Sequence, residues 1–324
     1  MFKLKYFSIF IVLSMLIGCG TKSVMMTVVR PAEINLKGYD KIAVGQVLNP
    51  RGKINTHSED LAEELTSQLV SSGRFDVVDR QHLKQIIQEQ SLAVSGMIDE
   101  SNAPQLGKLL GVSVMVFGRI QEDGYKEEIT KDKPYKDKKG VKHQRHHRRG
   151  KYIYNVSLKL IDVETGKILT AKNLSVLKTA KKSAIDKNPD KIDRTALYTQ
   201  SVSSLGKKFI RLIAPYTERV NANFETDDAL PEVDRAVAMF KVGEWPDGMD
   251  LLKSATKKKK LEREVKGKTF YNLGLAQVYQ GQYDLAIENI KKAIKYNPDS
   301  SRYMNALRNA KNEKKKAQEL EEQL

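Results

Sequence analysis

Residues 152–177 read YIYNVSLKLIDVETGKILTAKNLSVL. From Tyr152 to Val163 one face carries Tyr152, Tyr154, Val156, Leu158 and Leu160, the period of two of a half-buried strand. Glu164-Thr165-Gly166-Lys167 reads as a hairpin turn in which Gly166 takes positive φ. Ile168 to Leu177 returns as the partner strand. Working outward from this hairpin, Val112 to Ile120 (VSVMVFGRI) is the apolar run of a central strand. Lys41 to Val47 (KIAVGQV) is another, with Ile42, Val44 and Val47 inward, and Phe75 to Val78 is a short third. Helical patterns lie between them. Ser58 to Ser71 repeats Leu61, Leu65, Leu69 and Val70 at helical spacing, with Ser58 as N-cap. Gln81 to Gln90 places Leu83, Ile86 and Ile87 on one face, and Ala103 to Leu110 ends at Gly111. Ile192 to Ile213 is a long amphipathic helix closed by Pro215. Helical crossovers between apolar strands, followed by a hairpin, predict an α/β domain over 41–217.

Three stretches break the pattern. Glu122 to Lys151 is highly charged, holds Pro134 and Gly140 and lacks periodicity, so 122–151 reads as a basic loop. Its later part, Lys133 to Lys151, has nine Lys or Arg and one acidic residue, Asp137. Residues 218–228 read as a polar linker, and 229–324 as helical throughout. The 324 residues imply two or three domains. The single cysteine excludes a disulfide framework and cysteine-based zinc sites. No apolar run after the first 20 residues approaches the length of a bilayer-spanning helix.

That cysteine, Cys19, ends Leu16-Ile17-Gly18-Cys19 behind a positive start (Lys3, Lys5) and an apolar stretch from Phe7 to Ile17. The stretch is too short to span a bilayer and fits the core of an export signal. Leu-Ile-Gly-Cys resembles the lipobox of bacterial lipoproteins. The resemblance implies a signal peptide over 1–18, lipid on Cys19 and a lipidated tether over 19–40. Gly20 stands where Asp would direct retention in the inner membrane, so the implied location is the outer membrane, with the body in the periplasm. The net charge of +16 would suggest nucleic acid inside a cell. For an exported protein it points instead to phospholipid, lipopolysaccharide, cell-wall polymer or an acidic protein.

The ordered set Arg74-Phe75-Asp76-Val77-Val78-Asp79-Arg80, Leu83, Ile86, Glu89-Gln90, Ser95-Gly96, Ala103, Gly107 to Gly111 and Gly118 resembles the CsgG family of curli-secretion lipoproteins and their non-pore relatives. Val156 to Leu169 resembles the hairpin of the same family. Most of these residues also have structural roles: Leu83, Ile86, Leu106, Leu109 and Leu110 are helix core positions. Asp79-Arg80 lacks an accompanying nucleophile or base. The family's pore-forming members are rings whose subunits insert amphipathic β-hairpins, and a membrane strand needs about 9–11 residues with an apolar lipid face. The first insertion slot falls on Glu122 to Lys151. The second, Thr179 to Gln200, carries Lys181, Lys182, Asp186, Lys187, Pro189, Asp190, Lys191 and Asp193 without alternation. Both are expected to stay in water, which implies a non-pore relative.

Within the basic loop, Lys138, Lys139, Lys142, Arg145, Arg148 and Arg149 are candidates for contact with an anionic envelope surface. His143, His146 and His147 invite a metal reading. Arg145, Arg148 and Arg149 oppose a divalent cation there, and no adjacent carboxylate flanks the trio, so no metal site is expected.

Phe270, Leu273-Gly274, Gly281, Tyr283, Ala286, Ile290, Ala293 and Pro298 fall at the offsets of a helix-pair repeat unit. Gly274, Ala286 and Ala293 are small where helices approach, Gly281 lies in the turn, and Pro298 ends the second helix. These residues resemble a tetratricopeptide repeat (TPR), although Gln277 stands where that family has an aromatic residue. A degenerate earlier copy spans 230–256, with Gly243, Trp245, Gly248, Leu252 and Ala255 at matching offsets, and Asp299 to Leu324 supplies a capping helix. The repeats are expected to form a shallow groove with Asn272 and Gln280 facing outward.

Gly-x-Ser-x-Gly, phosphate-loop and zinc spacings are missing from the sequence. No catalytic residue, cofactor or nucleic-acid partner is expected. Together the resemblances imply an α/β domain followed by an all-α TPR module, in an outer-membrane-anchored, periplasm-facing assembly or scaffold lipoprotein of an envelope or secretion system. Its protein partners would be taken by the module, and homo-oligomerisation is left open. The alternative is a subunit of a ring-forming, curli-type secretion channel.

Overall fold

The structure, a computed structural model, describes residues 20–78 and 103–324. Cys19, Asp79-Arg80, the expected helix over Gln81 to Gln90 and Ser95-Gly96 lie outside the described residues, as does the side chain of Leu106. In chain order the strands are β1 (Thr21–Arg30), β2 (Lys41–Leu48), β3 (Asp76–Val78), β4 (Val114–Lys131), β5 (Tyr135–Lys136), β6 (Lys142–His143), β7 (Arg145–Asp162), β8 (Ile168–Ile185) and β9 (Tyr216–Glu225). The helices are α1 (Thr56–Ser72), α2 (Ala103–Leu110), α3 (Arg194–Ile213), α4 (Pro231–Lys241), α5 (Trp245–Lys257), α6 (Arg263–Tyr279), α7 (Tyr283–Tyr296) and α8 (Ser301–Gln323). The chain divides into two units. One comprises Pro31–Tyr216 with Leu320–Leu324; the other comprises the chain up to Arg30 with Thr217–Glu319.

The first unit is built on a five-stranded sheet of order β3-β2-β4-β7-β8. β2 runs parallel to β3 and β4, while β4, β7 and β8 are antiparallel neighbours. Gly166, at φ 69°, turns β7 into β8. Asn55, rather than Ser58, caps α1: its side chain accepts from the Ser58 backbone N–H, and the Ser58 hydroxyl accepts from the Asn55 backbone N–H. On one face of the sheet, Leu61, Leu65 and Leu69 of α1 and Leu205 and Phe209 of α3 meet Val44, Val116 and Leu158. Each such side chain contributes about 1.5–3 kcal/mol on burial. The opposite face packs Ala43, Met115, Phe117, Ile161 and Val163 with Ala103 and Leu110 of α2.

The expected loop over 122–151 is instead mostly strand. β4, β7 and β8 are each 18 residues long and continue as a three-stranded ribbon, with the short β5–β6 pair between β4 and β7. Likewise, the first part of the 179–200 slot is the end of β8. The alternation escaped a hydrophobicity pattern for a physical reason. The inward positions of β7 here are His146, Arg148 and Gly150, not apolar residues. His146 Nδ1 meets Asn188 Oδ1 at 3.1 Å, Arg148 Nε donates to the Pro189 carbonyl at 2.8 Å, and Gly150 lies against Ile192. Backbone pairing needs no apolar outer face, so charged residues there are compatible with a ladder.

In the second unit, helices α4 to α8 follow one another as pairs and a final helix. The expected tether and linker are corrected here, because Thr21–Arg30 and Tyr216–Glu225 form a two-stranded sheet, β1 with β9. Residues 31–40 lie within the α/β unit, which comprises Pro31–Tyr216 with Leu320–Leu324. Val24, Ala222 and Phe224 enter the core of this unit beside Val233, Val237 and Phe240. Val24, Met26 and Val28 do alternate in sequence, but their partner strand is distant: Arg30 and its bonded Glu218 are 188 positions apart. Arg30 is buried with its guanidinium on Glu218 (2.8 Å) and on Glu313.

Candidate interaction site

Helix α6 carries Lys268, Tyr271 and Asn272 on one face, since positions three and four apart are neighbours on a helix. Helix α8 opens with Arg302 and Tyr303. All five side chains converge on residues 223–227 at the end of β9. Asn272 Oδ1 accepts from the Glu225 backbone N–H and its Nδ2 donates to the Glu225 carbonyl, both at 2.8 Å. The Tyr271 hydroxyl donates to the Asn223 carbonyl at 3.1 Å. Arg302 Nη1 holds one Glu225 carboxylate oxygen at 2.7 Å, and the Tyr303 hydroxyl donates to the other at 2.6 Å. Lys268 Nζ binds the Asp227 carboxylate at 2.8 Å. Against the cost of burial, this ammonium holds the Asp227 carboxyl below the usual carboxylate range. Burial and then the Glu225 carboxylate push the Tyr303 hydroxyl up.

This arrangement supplies what a strand edge lacks. An unpaired edge presents N–H and C=O groups that need partners, and the Asn272 amide provides one acceptor and one donor in the spacing of a peptide. The face of α6 expected to be an open groove is therefore filled by the chain's own β9. Gln280 is exposed as expected, but Asn272 is fully buried. Spacing located the face; it held no information on what covers it. Glu225, Arg302 and Tyr303 were missed for the same reason, because each has its meaning only through the others.

The repeat positions sit as follows. Leu273, Gly274, Ala286, Ile290 and Ala293 are buried, and Phe270 and Tyr283 are half-buried. Phe270 stacks on Tyr296 with centroids 5.7 Å apart. Gly281 is in the α6–α7 turn, and Pro298 follows α7. A Cβ on Gly274 would stand 2.7 Å from Ile290 and 3.0 Å from the Ala286 carbonyl, so α6 and α7 touch there. In the degenerate copy, Phe240 stacks on Trp245 at 4.2 Å.

On the ribbon, Lys138, Lys139, Lys142 and Arg145 are exposed. Arg148 is committed to Glu127 and the Pro189 carbonyl, and Arg149 lies 3.8 Å from Glu128. The Tyr125 hydroxyl, followed by Arg148, holds the Glu127 carboxyl below the usual range. Two of the three histidines do have carboxylates, brought alongside by the fold. His143 Nδ1 meets Asp186 at 2.6 Å and its Nε2 faces Asp137 at 3.5 Å; His147 Nε2 meets Asp132 at 2.9 Å. The bond to Asp186 raises the His143 pKa. The two nitrogens of His143 point at different carboxylates, which suits an imidazolium and not a shared cation. Among the described residues no group of three or more such side chains is arranged to hold a metal ion.

A further polar cluster was not legible in sequence. His57 Nδ1 and the Tyr152 hydroxyl both bond Asp123, and His57 stacks on Tyr198 at 4.2 Å. Tyr198 in turn donates to Asp60 at 2.7 Å. These groups tie α1 and α3 to the sheet. At the amino-terminal end, the Gly20 carbonyl accepts from the Thr226 N–H at 3.0 Å, so the residue after Cys19 is already part of the second unit.

Residues 42–192 match the family described as curli production assembly/transport component CsgG, and residues 267–300 match the tetratricopeptide repeat. The chain thus carries a CsgG-type α/β domain followed by a TPR region. No curated protein matches the sequence. Among solved structures, a PelC dodecamer from Paraburkholderia phytofirmans is similar at 13% identity, with 60% of this chain and 99% of that chain covered and a TM-score of 0.30. The LpoB C-terminal domain from Salmonella enterica is similar at 17% identity, with 42% and 82% covered and a TM-score of 0.29. Lipoprotein GNA1162 from Neisseria meningitidis is similar at 13% identity, with 52% and 97% covered and a TM-score of 0.31.

Proposed function

We propose that the chain is a periplasm-facing lipoprotein anchored in the outer membrane through Cys19, acting without catalysis as an assembly scaffold of an envelope or secretion system. The observation that carries this reading is the pairing, in one chain, of a CsgG-type domain with a TPR region. Because Gly20 is bonded to Thr226, lipid on Cys19 would hold the second unit at the bilayer surface without a spacer. Because β9 fills the inner face of α6, protein partners meet the outer surfaces of the helices, where Leu285 and Met304 are exposed.

Photo-crosslinking residues at Leu285 and Met304, in cells, test the partner surface. Envelope proteins captured there in the wild type, and lost in Gly274→Leu, are the expected result. Overpacking at Gly274 costs about 1–3 kcal/mol and separates α6 from α7. Capture that survives melting of the helices would overturn the assignment, because the contact would then not depend on the folded helical surface. Fractionation of Cys19→Ser tests the anchor: in a high-salt wash, which screens surface charge, the variant should leave the membrane fraction while the parent stays.

The channel reading has one observation in its favour. The 18-residue strands of the ribbon exceed the 9–11 residues a bilayer crossing needs. Composition opposes it, because Lys126, Glu128, Arg149, Lys151 and Lys181 share the outward face that would meet lipid. Conductance in planar bilayers would restore it.

A further inference from the structure

The ribbon places cations directly opposite one another. Lys126 pairs in register with Lys151, Arg149 with Lys181, and Lys136 with Lys142 near the tip. Directly opposed residues on one face stand about 4.5–5.5 Å apart at Cβ, and like charges there destabilise the pair. A fourth such pair, Arg148 with Lys182, is relieved within the protein, by Glu127 and the Pro189 carbonyl on one side and by the Lys191 carbonyl on the other. The first three are not relieved in that way. Glu128 lies 3.8 Å from Arg149 and 3.9 Å from Lys151 and serves both. Lys126, Lys136, Lys142 and Lys181 have no ion pair among the described residues. Arg149 and Lys151 remain open to water, with side-chain exposures of 43% and 41%. The repulsion is left for a partner to neutralise.

The same tip exposes apolar groups. Tyr135, which flanks Lys136, is 41% exposed, Val141, which flanks Lys142, is 52% exposed, and Ile185 at the end of β8 is 46% exposed. A soluble polyanion would neutralise the cations and leave these three in water. An anionic bilayer surface does both: its headgroups take the charges, and its interface takes a tyrosine ring and short aliphatic chains. We propose that the outer part of the ribbon docks on an anionic phospholipid surface, lying against the headgroups without crossing the bilayer. This assignment stands on the ribbon alone and is independent of lipid on Cys19.

The test uses the full chain with Cys19→Ser, so that no attached lipid contributes, and sedimentation with phosphatidylcholine vesicles with and without phosphatidylglycerol. The expected result is preferential sedimentation with the anionic vesicles, weakened by added salt. The triple variant Lys126→Glu, Lys136→Glu, Lys181→Glu should lower that partitioning by about tenfold or more, with an unchanged circular dichroism spectrum. A second variant, Tyr135→Ser with Val141→Ser, leaves every charge in place. It should weaken vesicle binding several-fold while leaving retention on a heparin column unchanged. Equal sedimentation with both vesicle types, or a triple variant that behaves as the parent, overturns the proposal. So does a Tyr135→Ser, Val141→Ser variant that binds vesicles as well as the parent, because the surface would then read charge alone and a soluble polyanion would be its ligand. Release of vesicle contents would overturn the surface-docked geometry in favour of insertion.

Discussion

The ribbon and the inner face of the helical region handle charge in opposite ways. On the ribbon, same-sign residues face each other across strands and stay in water. Around β9, Arg30, Lys268, Glu225, Asp227 and Glu313 are largely buried and each has a partner: Arg30 with Glu313 and the more exposed Glu218, Lys268 with Asp227, and Glu225 with Tyr303 and the more exposed Arg302. Exposed pairs are worth about 0–1 kcal/mol, whereas removing one partner of a buried pair costs about 3–5 kcal/mol. The contrast teaches where each region's chemistry is directed. The buried network is satisfied internally and holds the fold, while Lys126, Lys136, Lys142 and Lys181 of the ribbon have no ion pair among the described residues and are left for something outside the chain.

The comparison breaks most visibly at Arg30. Arg30→Ala should destabilise the second unit by as much as about 3–5 kcal/mol, because the buried Glu313 loses its Arg30 partner and keeps only Lys316, 3.3 Å away. Urea unfolding followed through Trp245, the chain's single tryptophan, reads this unit directly. A loss below about 1 kcal/mol would place the pair with ordinary surface bridges. Next in size is Asn272→Ala, which orphans both the N–H and the carbonyl of Glu225. Each unsatisfied buried group costs about 1–3 kcal/mol, so a combined loss of about 2–4 kcal/mol is expected in the same assay. Asn272→Asp should lie between the two, since it keeps the acceptor and loses the donor.

On the ribbon the effects shrink and change sign. Lys181→Glu converts the pair with Arg149 from like to opposite charge and should stabilise the strands by up to about 1 kcal/mol, seen as slower amide hydrogen exchange along residues 176–184. Destabilisation there would mean that the cations are already neutralised within the protein. The smallest effect is a pH dependence at the tip. The folded pKa of His143 is raised above its ordinary 6.5, chiefly by its bond to Asp186. Its contribution is therefore fully present below about 6.5 and is lost as pH rises through the raised value. The Asp186 carboxyl is depressed by the same bond, so its contribution is lost only as pH falls through that lowered value. Gln144, whose N–H donates to Asp186 at 2.7 Å, should lose exchange protection, corrected for intrinsic rates, above the His143 transition. His143→Gln should flatten the profile.

The core of the α/β unit was legible in sequence because its signals are local. Val114 and Val116 form a dense apolar run, Tyr152 to Leu160 alternate, and Gly166 marks the turn. The repeat signature was legible because Gly274, Ala286 and Ala293 must be small wherever two helices touch. The ribbon was misread because its inward positions are His146, Arg148 and Gly150, and the groups that cover them, Asn188, Pro189 and Ile192, are about forty positions away. A hydrophobicity pattern has no symbol for an arginine that is inward because a carbonyl waits for it.

The sequence by itself determined the order of the described core strands and helices of the α/β unit, the helix pairs with their small contact residues and the concentration of cations between Lys126 and Lys151. Local propensity, turn chemistry and composition suffice for those. Only the tertiary structure decided that Thr21–Arg30 is a strand and not a tether, that β9 fills the face of α6, that Asn272 points inward, and that Lys126 stands opposite Lys151. Each of these depends on which distant segment arrives alongside. Backbone groups must find partners somewhere, but the choice of partner is settled by the folded chain as a whole.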